Sequence, residues 1–86
     1  MNEKDHYNRF QEGILRAGFV REELREHPTE YFPEKVRKLN KSYISIVKEI
    51  IREGEYFLDK SENFEVGLEV ASAIEAYKNF LKDIGE

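Results

Sequence analysis

The chain has 86 residues, and its 14 Lys and Arg against 18 Asp and Glu give a net charge of −4. That length predicts one domain, residues 1–86, with a single core. Without cysteine there is no disulfide and no thiolate metal site, and the negative charge argues against general nucleic-acid binding, which depends on Lys and Arg at phosphates. No N-terminal apolar run indicates a signal peptide or membrane span, so we expect a cytoplasmic protein without membrane attachment.

The first predicted helix runs from about residue 3 to about residue 26 and ends before Pro28. Gly13 and Gly18 lie inside it, although glycine costs on the order of 1 kcal/mol against alanine in an exposed helix interior. They predict close backbone packing or a local bend, unless the helix merely tolerates them. The expected inner face consists of Tyr7, Phe10, Ile14, Ala17 and Leu24.

The second predicted helix spans residues 33–60 and carries an uninterrupted helical repeat of apolar residues. Pro33 suits the first helical position, where its missing N–H is not required. The short connector before it favours an antiparallel neighbour. The expected inner face consists of Val36, Leu39, Tyr43, Val47, Ile50, Gly54, Phe57 and Leu58.

The third predicted helix follows a tight turn at residues 60–62 and runs from 64 to about 84, with Asn63 as its N-cap. The three helices together predict an all-α, up-down-up bundle. Ile50 and Ile74 lie in mid-helix on inner faces, so we expect both to be nearly fully buried. The expected inner face of the third helix consists of Phe64, Gly67, Leu68, Ala71, Ile74, Tyr77, Leu81 and Ile84.

Each helix carries more apolar residues than a three-helix core requires, and Leu15, Phe19 and Val20 widen the first one. A generous core explains such surplus, because flank positions in a small bundle are half-buried; otherwise one row is an exposed interaction surface. Two further rows are Ile44, Ile51 and Leu58 in the second helix, and Val66, Val70, Ala73 and Phe80 in the third.

Glu53 lies at the edge of the apolar seam of the second helix, where a buried carboxylate requires hydrogen bonds. Antiparallel pairing places it near the level of His6, Tyr7 and Ser72, and any of the three could satisfy it. We interpret Glu53 as a structural or solvent-exposed group rather than a tuned acid.

Charge is unevenly distributed along the second helix, whose first half is basic and whose end is acidic. This order opposes the helix dipole, which favours anions at the N-terminus and cations at the C-terminus. We expect ion pairs between helices to offset it, with an acidic partner or an RNA backbone as the alternative. The basic patch consists of Lys35, Arg37, Lys38 and Lys41.

No catalytic, metal, cofactor or phosphate-binding motif is predicted. His6 and His27 lie near opposite ends of the first helix, too far apart to share a ligand. Arg21 and His27 form an Arg-x5-His string that is similar to the short motif of the HEPN ribonuclease family. RNA binding or cleavage by His27 and the basic patch is therefore the alternative function.

The last two-fifths of the chain contains several residues that form a loose motif. These residues are Tyr56-Phe57-Leu58, Lys60, Asn63-Phe64, Ser72, Tyr77 and Gly85. With them, residues 53–85 resemble the archaeal domain-of-unknown-function family 357, a group of short proteins. The chain has Ala73-Ile74 and Tyr77-Lys78-Asn79 where family members tend to carry Tyr-Ala and Trp-Leu-Asp. The resemblance implies a three-helix up-down-up bundle and assigns no activity.

The preferred functional prediction is a non-enzymatic module that forms a homodimer or binds another protein through one of the two surplus apolar rows. Neither the partner nor any ligand follows from the residues.

Overall fold

The computed structural model describes residues 3–26 and 33–86, and all regular secondary structure in these ranges is α-helical. The helices are α1 (Glu3–Glu26), α2 (Pro33–Lys60) and α3 (Phe64–Asp83). The predicted bounds are confirmed, except that α3 ends one residue earlier and Ile84 is its C-cap. The predictions for the connector, including His27 and Pro28, lie outside the described residues.

The helix α2 is the central element of the up-down-up arrangement. Within the described ranges, its Cα atoms approach those of both neighbours to within 8 Å, whereas no Cα of α1 comes that close to α3. Contacts near both ends of α1 show that it runs antiparallel to α2: His6 meets Glu53, and Arg21 meets Tyr43. The molecule is elongated because α2 has 28 residues, about 42 Å of helix, and its extents are 48 × 22 × 19 Å.

The core lies along α2 and receives side chains from both flanking helices. Ile50 is 0% exposed and Ile74 is 5% exposed, which confirms the burial predicted for both. Tyr7, Ile14, Tyr43 and the other half-buried apolar residues pack around this centre. The buried apolar residues are Phe10, Ala17, Ile46, Val47, Ile50, Ile51, Phe57, Val70 and Ile74.

Two helical glycines permit the close approach of neighbouring helices. A Cβ added at Gly13 of α1 would lie 2.6 Å from Cγ1 of Ile50, and one at Gly54 would lie 2.7 Å from Cδ1 of Ile74. Both distances are well inside van der Waals contact, so a side chain at either position would push its neighbour out of the core. Close packing therefore explains Gly13, as one of the predicted alternatives.

The predicted inner face of α3 is partly wrong. Phe64 is 76% exposed, Leu68 53% and Ile84 45%, and Ala71 is also exposed. The row that faces the core combines Ile74, Tyr77 and Leu81 of the predicted inner face with the residues that were predicted to be surplus. Both rows have helical spacing, so the packing against α2 decides which residues are buried, and Val70 is 1% exposed. The residues of α3 that face the core are Val66, Val70, Ala73, Ile74, Tyr77, Phe80 and Leu81.

Both ends of α3 are capped. Asn63 is confirmed as the N-cap, since its side-chain oxygen accepts a hydrogen bond from the Val66 backbone N–H at 3.1 Å. At the other end, Gly85 adopts a left-handed φ of 81°, and the Glu86 N–H donates to the Leu81 carbonyl at 2.8 Å. This pattern is a Schellman motif, which explains the glycine.

Candidate functional site

A buried histidine–carboxylate pair joins α1 to α2. His6 is 6% exposed and Glu53 is 3% exposed, and His6 Nδ1 lies 2.6 Å from Glu53 Oε2. Because an ionised carboxylate can only accept hydrogen bonds, Nδ1 carries the proton when Glu53 is charged. His6 is one of the three partners predicted for Glu53.

Two further side chains complete the surroundings of the pair. Arg9 Nη1 lies 3.8 Å from Glu53 Oε1, and the Tyr56 ring stacks on the His6 ring with centroids 5.1 Å apart. The other two predicted partners take no part: the Tyr7 hydroxyl accepts from Gln11 at 2.7 Å, and Ser72 is exposed. Burial shields both members of the pair from solvent, so the contact holds α1 against α2 and presents no reactive group at the surface.

A second polar contact between α1 and α2 lies toward the opposite end of α1. Arg21 Nη2 donates to the Tyr43 hydroxyl at 2.9 Å, and this hydrogen bond raises the pKa of the Arg21 guanidinium. Tyr43 also packs edge-on against Phe80 of α3, with ring centroids 5.2 Å apart. Burial raises the pKa of the neighbouring Tyr77 phenol. Arg21, half of the Arg-x5-His string, thus contacts an aromatic cluster, while His27 lies outside the described residues.

The predicted basic patch lies on the exposed surface of α2 where its side chains are described. Arg37 Nη1 is 3.5 Å from Glu34 Oε1 one turn away, and Lys38 and Lys41 are exposed. The Lys35 side chain is outside the described part. Farther along, Lys48 pairs with Glu86 at 3.4 Å. A second ion pair joins Lys78 of α3 to Glu55 of α2, so two described ion pairs link α2 to the C-terminal segment, besides those that Glu53 makes with α1.

Both surplus rows predicted as interaction surfaces pack against the core. Ile51 is 8% exposed and Val70 is 1% exposed. Ile44 is half-buried, and so are Leu58, Val66 and Phe80, of which the last three contact the buried core. These side chains serve the packing of α2 against its neighbours, which leaves little of their area for a partner.

Apart from Tyr56 of α2, which is 49% exposed, the large exposed apolar side chains of the described residues belong to α1, α3 and the C-cap of α3. Leu15 is 65% exposed and Phe19 is 71% exposed, one turn apart on α1. Each is two residues from buried Ala17, which places it about 160° around the helix axis at 3.6 residues per turn. The sequence assigned them to a widened core; the signal that could have separated them is this angle from the inner face.

Clefts on the surface are open and mixed in character. One of about 460 Å³ lies where the first turn of α1 meets the α2–α3 corner, lined by Glu3, Lys4, Tyr7, Phe57, Asn63 and Val66. Across residues 3–26 and 33–86, no group of three or more His, Asp or Glu is placed to hold a metal ion. None of the helices in these ranges has the length and hydropathy needed to cross a membrane.

Comparison with known proteins adds no assignment: no family model, no curated protein and no solved structure matches the chain.

Proposed function

We propose that this protein is a non-enzymatic helical module that binds another polypeptide, either a second copy of itself or a different protein. The observation that carries the proposal is the exposure of Leu15 and Phe19 on the back of α1. Burying an exposed Leu or Phe side chain contributes roughly 1.5–3 kcal/mol, so two adjacent ones form a useful anchor for a partner.

The polar groups support binding rather than turnover. The titratable pair with the deepest burial, His6 and Glu53, is satisfied within the molecule and stabilises a helix contact. An active site instead requires a nucleophile or acid–base group that a substrate can reach.

Site-specific photo-crosslinking in cells that produce the protein tests the proposal. A photoreactive phenylalanine analogue at position 19 is expected to give a discrete covalent adduct, whose partner mass spectrometry then identifies. The same analogue in place of Asn79, an exposed polar residue of α3, is the matched control and is expected to give none. Absence of any adduct at position 19, with a monomeric mass by light scattering, would contradict the proposal.

A further inference from the structure

We propose that the back of α1 binds a cationic amphipathic helix of another protein, with an aliphatic side chain of that helix seated on Gly18. This inference rests on the proposed binding function and names its surface and its partner class. The surface, called here the outer face, consists of Leu15, Gly18 and Phe19 with the exposed acidic residues Glu12, Glu22 and Glu23.

The glycines of this chain indicate that the partner is a helix. Gly13 and Gly54 each lie where an isoleucine of a neighbouring helix would collide with a Cβ, at 2.6 and 2.7 Å. At Gly18, by contrast, an added Cβ meets none of the described residues within 4 Å. Packing against the described part of the monomer therefore gives no reason for glycine at this position, where alanine favours the helix. A helix seated on the outer face would make at Gly18 the contact that Ile50 makes at Gly13.

The charges around Leu15 and Phe19 indicate that the partner is cationic. Helix neighbours of Leu15 and Phe19, three or four residues away, include Glu12, Glu22 and Glu23 and the cation Arg16, while Arg21 lies one turn from Gly18. Glu22 pairs at 3.4 Å with Arg25, which is itself 71% exposed at its side chain. An apolar stripe flanked mostly by carboxylates complements a helix with Leu or Ile on one side and Lys or Arg beside it.

The same charges disfavour a second copy on this face. A two-fold contact centred near Gly18 would place the Glu22–Glu23 end of one copy against the Glu12 region of the other. Carboxylates would then face carboxylates, and like charges across an interface oppose association.

Fluorescence anisotropy with two synthetic helical peptides tests the inference. Both peptides carry the same stripe of leucines, and their polar faces consist of lysine in one and glutamate in the other. We expect the lysine peptide to bind at least about ten-fold more tightly than the glutamate peptide, and its affinity to fall with added salt. Equal affinity for both peptides, or no binding of the lysine peptide, would overturn the inference.

A substitution that leaves every charge unchanged locates the binding surface. Gly18→Leu fills the space beside Gly18 that a side chain of the peptide would occupy. It is expected to weaken binding of the lysine peptide by about ten-fold or more, while the urea midpoint of unfolding stays the same or rises. Phe64→Ser, which removes an equally exposed aromatic side chain from α3, is the matched control and is expected to leave affinity unchanged.

The possible outcomes separate this inference from the proposed function. Loss of binding in Phe64→Ser with none in Gly18→Leu would move the site to α3 and overturn the inference, but would leave a binding module. If the protein self-associates and Gly18→Leu abolishes that self-association, a second copy of the chain occupies the outer face. This result would also overturn the inference but leave a binding module. The proposed function itself depends on the crosslinking result.

Discussion

The two faces of α1 contain similar residues and have opposite surroundings. On the inner face, Phe10, Gly13 and Ala17 are buried, and Ile50 of α2 packs directly on the glycine. On the outer face, Leu15 and Phe19 are more than half exposed, and the space beside Gly18 is empty.

The difference shows that apolar spacing identifies a helix face suited to packing, while the surrounding fold decides whether anything packs there. The inner face uses its glycine for close contact with α2. The outer face has similar residues and no neighbour among the described residues of the monomer, and we propose it as the binding surface. Substitutions that act on one face or the other test this contrast.

The largest expected effect is the loss of the buried pair on the inner side. His6→Ala leaves the Glu53 carboxylate buried with only Arg9 nearby at 3.8 Å, and it should lower the free energy of unfolding by about 3–5 kcal/mol. Urea denaturation followed by circular dichroism measures this.

Replacing both members of the pair is the control. The double variant His6→Leu/Glu53→Met substitutes apolar groups of similar volume and should recover most of the loss, since replacing a buried ion pair by packed apolar residues is often neutral. A double variant as unstable as His6→Ala would show that the pair itself, rather than an unpaired charge, determines stability.

Ile50→Ala should destabilise the protein by about 2–5 kcal/mol, because it leaves a cavity where the Ile50 side chain packs against Gly13. That is a large fraction of the roughly 5–15 kcal/mol available to a typical domain. Thermal unfolding measures it, with Ile44→Ala as the control at a half-buried position of the same helix. Equal losses in the two variants would contradict the assignment of the inner face.

Gly13→Ala should cost about 1–3 kcal/mol. The added methyl group would lie 2.6 Å from Cγ1 of Ile50, which is fully buried, so the Ile50 side chain must shift within the core. Chemical denaturation gives the difference, and an increase in stability would mean that α1 and α2 are farther apart than the structure shows.

The smallest expected effect has the opposite sign. Gly18→Ala should stabilise the monomer by about 0.5–1 kcal/mol, since alanine favours the helix and the added methyl group meets nothing. The same denaturation experiment decides it. A loss comparable to that of Gly13→Ala would show that something in the monomer already occupies the outer face.

Much of the fold follows from local rules in the sequence. The spacing of apolar residues, Pro33 at a helix start and Asn63 as a cap defined three helices, and antiparallel pairing brought His6 within the set of partners for Glu53. The orientation of α3 did not follow. Phe64–Leu68 and Val66–Val70 both have helical spacing, and only the packing against α2 selects the second.

The same ambiguity hides the proposed binding surface in the sequence. Leu15 and Phe19 read as additions to a wide core, and nothing in the sequence separates Gly18 from Gly13, because the difference between them is the position of Ile50. Of the rows predicted to face a partner, Ile51 and Val70 are buried, and Ile44, Leu58, Val66 and Phe80 are half-buried. Periodicity gives the number of apolar stripes on a helix, whereas the number of neighbours in the fold determines which stripe stays exposed.

Nuclear magnetic resonance mapping tests the role of the outer face most directly. The backbone amide signals of the isotopically labelled protein are followed while the lysine-faced helical peptide is added. We expect the largest shifts at Leu15, Gly18 and Phe19, with the signals of Phe64 and Leu68 nearly unchanged. Shifts centred on α3, or no shift on α1 at a large excess of peptide, would contradict the assignment of the outer face as the binding surface.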